Sequence, residues 1–168
     1  NLLLRIMTPP GRIIIVSSEA HNPVTSIGLP DPEYTDPLTL AKPAPERQTN
    51  KTISALTGKV RYATSKLCNL FFAYELDRKL SCAGYQKQET MITVNAYAPG
   101  IVPGTGIGKD YHPLAWFGWK YLLPLFTFLP GLYSIKQAGK NCARLITDPD
   151  LEKRSGLYVE GRREKKSS

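Results

Sequence analysis

Apolar positions along the chain gather into separate runs, divided by stretches that carry no period. The first run, "RIIIVS" at Arg12–Ser17, is short, β-branched and entered through Pro9, Pro10 and Gly11. A continuous apolar run bounded by turn residues suits a strand covered on both faces of a parallel sheet. In the next run Leu67, Leu70, Phe71 and Tyr74 recur at i, i+3, i+4 and i+7, which predicts a helix from about Tyr62 to Leu80 with one apolar face. "MITVNAYAPG" then returns to strand character and stops at Pro99-Gly100. A last helix, "SIKQAGKNCARLITD", leads through "PDLEKRSG" to a short strand, "LYVE". Strand, helix, strand, helix, strand in that order predicts part of an α/β sheet with parallel pairing.

Two stretches stand outside this rhythm. Residues 21–60 are rich in Pro, Thr and Asp and lack a sustained period, so they are expected to form a long insertion loop containing at most a short helix. Residues 115–133, "AWFGWKYLLPLFTFLPGLY", are the most hydrophobic of the chain. Lys120, Pro124 and Pro130 interrupt them, so no membrane span is expected. The segment suits an apolar substrate pocket, a membrane-surface contact, or, the commonest fate of such a run, packing against the sheet. No internal repeat is found.

At 168 residues the chain suits one domain with a real core rather than two. Its net charge is +8, but much of the excess lies near the C-terminus, and residues 160–168 read as a solvated basic tail. No aromatic-interleaved basic face accompanies that tail, so a nucleic-acid partner is not expected. Cys68, Cys82 and Cys142 are widely spaced and odd in number, and His21 and His112 are far apart. That pattern fits a reducing compartment, cytoplasmic or at the periphery of a membrane, and offers neither a disulfide framework nor a metal site. The opening "NLLLRIMTPPG" lacks an initiator Met and a charged-then-apolar signal sequence, and reads as the last turn of a helix cut open, so the chain is expected to be a fragment.

The chemistry lies in "VRYATSKLCN". A helix repeats about every 3.6 residues, so Tyr62 and Lys66 project from one face. A free phenol is a poor acid or base near neutrality, whereas a neighbouring ammonium stabilises the phenolate and lowers its pKa. Tyr62 then becomes able to exchange a proton at a carbonyl or hydroxyl carbon. Taken alone, Tyr-x-x-x-Lys is common on ordinary helices. Its context adds weight: one apolar strand ends in Ser17-Ser18 before the helix, and another ends in Asn95-Ala96-Tyr97-Ala98-Pro99-Gly100 after it. Ligands of parallel sheets bind beyond the carboxyl ends of the strands, where both strand ends and the start of the tyrosine helix would meet.

With "RIIIVSS", "YATSK" and "VNAYAPG" in this order, the chain resembles the short-chain dehydrogenases/reductases, over nearly its whole length, as the C-terminal half to two-thirds of such an enzyme. The resemblance implies an incomplete Rossmann-type domain (a doubly wound parallel sheet) lacking the N-terminal cofactor-binding half, and a nicotinamide cofactor, NADP or NAD, with NADPH favoured. It implies that Ser18, rather than Ser17, hydrogen-bonds the reacting oxygen. Tyr62 would be the proton donor or acceptor, and Lys66 would assist it and bind the nicotinamide ribose. The backbone around Pro99, Gly100, Ile101 and Val102 would contact the nicotinamide ring and amide, with Thr105 near the cofactor. "SKLCNLFFAYELDRKL" is similar to the branch containing retinol dehydrogenases and light-dependent protochlorophyllide reductases, in which Cys68 would line the substrate site. Residues 104–108, "GTGIG", follow Pro-Gly instead of opening a βαβ unit, and are expected as a mobile loop over the cofactor.

The family's glycine-rich pyrophosphate turn is absent, and Asn1 and Asn95 lie in the wrong elements for its catalytic asparagine. The intact protein is therefore expected to be an oxidoreductase acting on a bulky apolar substrate, with the fragment alone inactive. In the family the tyrosine helix commonly forms a dimer interface, which makes a homodimer an open expectation. The alternative is a truncated, non-catalytic binding or interaction module. Isolated, such a fragment would leave a sheet edge unpaired and dissolve poorly.

Overall fold

The computed structural model describes residue 4 and residues 6–22, 30–42, 51–87, 91–105, 112–129 and 131–165, with backbone alone over 51–55. Asn1, parts of the 21–60 stretch, residues 106–108 of the glycine loop and the last three residues of the basic tail lie outside them.

Four strands form one mixed sheet in sequence order. β1 (Gly11–Val16) pairs in parallel with β2 (Ile92–Ala98), from Gly11 opposite Ile92 to Val16 opposite Tyr97. β2 pairs in parallel with β3 (Tyr158–Glu160), and β3 turns back into an antiparallel β4 (Arg163–Lys165). The parallel order matches the sequence expectation. The antiparallel β4 does not, because it is built from "REK", part of the stretch read as a solvated tail. Its side chains are exposed, and Lys165 Nζ lies 2.5 Å from Glu160, so backbone pairing and a surface ion pair hold it rather than an apolar pattern.

Helices cover both faces of the sheet, as a doubly wound arrangement requires. On one face α2 (Lys51–Cys82) packs Leu70, Ala73 and Leu80 against Ile92, Val94, Ala96 and Ala98 of β2, with Ile13 and Ile15 of β1 beside them. On the other, α4 (Ile135–Thr147) brings Leu145 onto Tyr97 and Val159, with Ile14 alongside. Ile13, Ile14 and Ile15 thus alternate between the two cores, and all seven residues of β2 are buried.

Three expectations need correction. The tyrosine helix begins at Lys51, so residues 51–60 of the presumed insertion loop are helical. That stretch has no proline, and propagation from a packed helix is far easier than nucleation. A short α1 (Pro37–Ala41), capped by Asp36 on the amides of Leu38 and Thr39, does occur within the insertion. Secondly, the buried face of α2 runs through Ala63, Leu70, Ala73 and Leu80, while Phe71 is half exposed and meets Tyr34 edge-on at 5.4 Å. Alanines let the helix approach the sheet closely, so its inner face is less apolar in sequence than in space.

Thirdly, the 115–133 segment does not pack on the sheet. It forms α3 (Pro113–Phe117), a π turn at Gly118–Leu122 and a 3₁₀ turn at Leu123–Phe126. Many of its apolar side chains are exposed, Leu125 at 69% and Phe128 at 77%, while Trp116, Trp119, Leu123, Leu132 and Tyr133 are half-buried, and neither core includes any of them. The three turns follow one another directly, with Pro113 in the first turn of α3 and Pro124 in the first turn of the 3₁₀ segment, where proline is tolerated. Among the described residues no helix is long and apolar enough to cross a membrane.

Candidate functional site at the carboxyl rim of the sheet

The parallel register of β1 and β2 brings Ser17-Ser18 and Pro99-Gly100 to the same end of the sheet, since Val16 faces Tyr97 and the Ser17 amide donates to the Tyr97 carbonyl at 2.8 Å. α2 passes this end at Tyr62–Asn69, and two staples fix it there. The Ser17 hydroxyl donates to the Lys66 carbonyl at 2.7 Å, and the Asn69 side-chain amide donates to the Val16 carbonyl at 3.0 Å. Ser17 is buried and spent on this bond. Ser18 is half-buried and caps a 3₁₀ turn (Glu19–His21) that packs against α2, its hydroxyl accepting from the Ala20 amide at a long 3.3 Å.

On α2 the Lys66 ammonium lies 5.5 Å from the centre of the Tyr62 ring, so the helical spacing does bring the two groups together. Tyr62 is 37% exposed and open to the rim. Among the described residues no carboxylate pairs with Lys66. Two other tyrosines lie close to the strand ends and are disqualified by burial. Tyr97 has its phenol pushed up to about 12, by burial first and then by Cys142 and Tyr133, and donates to the Ala138 carbonyl at 2.9 Å. Tyr158 is raised further, again mainly by burial. Both remain neutral, structural phenols.

After β2 the chain turns at Gly100, whose φ of +79° excludes other residues without strain. The Ile101 amide donates to Gly131 and its carbonyl accepts from Tyr133, both at 2.9 Å, so Ile101 presents its side chain rather than its backbone. Val102 is buried, and its carbonyl accepts the Thr105 hydroxyl at 3.0 Å, while the Thr105 carbonyl accepts from the Trp119 indole at 3.2 Å. The exposed apolar segment is thereby tied directly to the loop after β2. Cys68 sits half-buried on α2 as a free thiol, and Cys82 and Cys142 are also free. Among the described residues no cluster of His, Cys, Asp or Glu is arranged to hold a metal.

The donor set at the rim fits a nicotinamide nucleotide in kind: an uncompensated ammonium, an accessible phenol and a hydroxyl with capacity to spare, beside a glycine turn. Sequence reasoning passed over Asn69 and Thr64 and set Ser17 aside. Thr64 is buried, accepts from the Glu33 amide at 2.9 Å and so ties the insertion to the tyrosine helix. Ser17 stood beside Ser18 as the discarded alternative, and its place at an inward strand position was the available signal.

Against the curated proteins, the chain is 30% identical over 156 residues to "Protochlorophyllide reductase, chloroplastic" of Pisum sativum, covering 89% of this chain and 36% of the relative. It is 31% identical over 150 residues to "WW domain-containing oxidoreductase" of Homo sapiens, covering 89% and 30%. The chain is short-chain dehydrogenase/reductase-like. Its α/β sheet with helices on both faces is that of a partial Rossmann-type domain. The chain spans about a third of the length of these curated relatives. No family model matches it.

Proposed function

We propose that the intact protein is a nicotinamide-dependent oxidoreductase of the short-chain type, acting on a carbonyl, alcohol or activated double bond of a bulky apolar substrate. The observation that carries this reading is the Lys66 ammonium 5.5 Å from the Tyr62 ring, on a helix turn stapled to the strand end that bears Ser18. The names of the relatives, a protochlorophyllide reductase and an oxidoreductase, support the class.

In this reading Tyr62 gives or takes the proton at the substrate atom that changes protonation. Ser18 donates a hydrogen bond to the reacting oxygen, and the Lys66 ammonium stabilises negative charge developing on the phenolic oxygen. Lys66, Tyr62 and the turn at Pro99–Val102, with Thr105 beside it, are the residues that would hold the nicotinamide end of the cofactor. That cofactor supplies the hydride when bound; NADPH is the form favoured by family likeness. The exposed apolar run from Leu114 to Leu129, tied to Thr105 through Trp119, supports an apolar substrate, and family likeness makes half-buried Cys68 a residue that would line its site. The same exposure supports a peripheral membrane contact as a second role of this run, which flotation of the protein with anionic and neutral liposomes tests.

Tyr62→Phe in the intact protein tests the assignment. It is expected to lower kcat by a factor of about a hundred or more, within the usual range for a lost general acid, while leaving NADPH affinity within about threefold. Parallel loss of turnover and cofactor affinity would show that the tyrosine serves the structure instead.

A further inference from the structure

We propose that His21 is a positioning residue for Ser18; the inference rests on the reading of Ser18 given above. His21 is only 3% exposed, and it is the third residue after the serine. Its Nδ1 lies 2.5 Å from the Ser18 carbonyl oxygen, and its backbone amide donates to that same oxygen at 3.3 Å. A carbonyl only accepts, so Nδ1 carries a proton. Two donors from one residue thus converge on one carbonyl and fix the plane of the peptide after Ser18. With Ser18 extended (φ −159°, ψ 154°), that plane helps to fix the Cα–Cβ bond from which the hydroxyl projects.

The imidazole is in turn held from the far side. It stands edge-on to the Tyr158 ring, centroids 5.1 Å apart at 87°, against a phenol that β3 buries. The imidazole Nε2 has no hydrogen-bond partner among the described residues, although it is buried. A leucine or phenylalanine would fill this space without leaving a buried nitrogen unpaired, which costs stability. The Nδ1 bond to Ser18 is what the histidine supplies in return. Among the described residues the Ser18 hydroxyl accepts one long hydrogen bond, from the Ala20 amide, so its proton is left to donate, and the held carbonyl keeps in place the backbone that carries it.

The test compares three variants of the intact enzyme, using NADPH oxidation with an apolar carbonyl substrate. His21→Phe keeps a ring against Tyr158 but has no donor, and is expected to lower kcat about tenfold, the scale of one positioning hydrogen bond, with KM for NADPH unchanged. His21→Asn places an amide nitrogen near the Nδ1 position and is expected to restore most of the loss. Ser18→Ala separates the two layers of the argument. A severe Ser18→Ala defect beside full activity in His21→Phe overturns the positioning role alone; full activity in Ser18→Ala overturns the serine reading and this inference with it. Equal loss in His21→Phe and His21→Asn also overturns the proposal, since rescue by the donor is its signature. ¹⁵N NMR of the unmodified protein gives a readout independent of variant folding: the Nδ1–H tautomer is expected, and the Nε2–H tautomer would refute it.

Discussion

Replacing Asn95 by alanine removes a side chain that is 1% exposed in the middle of β2. Its two polar ends reach in different directions along one segment. Nδ2 donates to the Arg154 carbonyl and Oδ1 accepts from the Leu157 amide, both at 2.9 Å. The Leu157 carbonyl accepts from the Ala96 amide at 2.8 Å, so this residue is held to β2 from both sides just before β3 begins. Alanine frees the Arg154 carbonyl, which belongs to an exposed residue and recovers water at little cost. The Leu157 amide is half-buried and loses its acceptor, at about 1–3 kcal/mol for an unsatisfied donor. With the lost packing of the side chain, a total of about 2–4 kcal/mol follows. Urea unfolding followed by far-UV circular dichroism measures it, with the slope unchanged if only the native state is affected. Hydrogen exchange adds a local check, because the Leu157 amide must lose protection relative to Ala96. A loss below about 0.5 kcal/mol, the range of ordinary surface substitutions, with Leu157 still protected, would refute the idea that Asn95 fastens β3 to the sheet.

Further outcomes follow from other positions. Gly100→Ala places a Cβ 2.8 Å from two carbons of the Tyr133 ring and 2.9 Å from the Gly131 carbonyl, at φ +79°; a loss of about 2–4 kcal/mol is expected from the left-handed conformation and the clash together, read as a fall in Tm. Glu19 is raised above its ordinary value of 4.5, by burial first and then by the Glu160 carboxylate, with Lys165 acting the other way. A raised carboxyl favours the folded state while protonated, so its contribution is fully present below the unfolded value of about 4.5 and is lost as pH rises through the folded value. Glu19→Gln is therefore expected to stabilise the protein at pH 7 relative to the parent and to converge with it near pH 4, in paired thermal melts. The double change Leu125→Ser and Phe128→Ser, at side chains 69% and 77% exposed, is expected to shift stability by no more than about 0.5 kcal/mol; a large destabilisation would mean that the segment packs after all.

The parts of this fold that were legible in sequence are those governed by periodicity and punctuation. Arg12–Ser17 announces itself as a two-faced strand because its isoleucines serve both cores, and Pro99-Gly100 ends β2 because the turn needs a positive φ. The Tyr62–Lys66 pair was legible because helical geometry alone juxtaposes the groups. What escaped has a common cause. The inner face of α2 uses Ala63 and Ala73, which carry little hydrophobic signal yet permit close approach. β4 is polar in every position and exists through backbone pairing. The 115–133 run has the composition of a core but folds as a succession of α, π and 3₁₀ turns whose apolar residues are largely exposed, so hydrophobicity without suitable periodicity misled. Arg12 is another case: read only as the edge of a strand, its guanidinium donates to the carbonyls of Leu145 and Asp148 at 3.2 and 2.7 Å, closing the end of α4.

These escaped residues are also the ones that place the candidate site. Packing an apolar strand against an apolar helix tolerates small shifts, because dispersion and burial are only weakly directional. Hydrogen bonds are directional, and each of the staples here joins a side chain to a main-chain carbonyl or amide. Ser17 and Asn69 fix α2 along β1, Asn95 fixes the entry to β3, and Arg12 fixes the end of α4. An amphipathic pattern selects which elements meet; these polar contacts select the register at which they meet. The distinction matters at the rim, where the proposed reading requires Lys66 to stay beside the strand end bearing Ser18. Removing the Ser17 hydroxyl by Ser17→Ala leaves every apolar contact intact, yet it frees the Lys66 carbonyl from the strand. Such a variant is expected to fold while losing turnover, about tenfold for a site loosened by one hydrogen bond, and Ser17→Thr, which retains the donor, is expected to lose less. Identical kinetics in Ser17→Ala and the parent would show that packing alone holds the register.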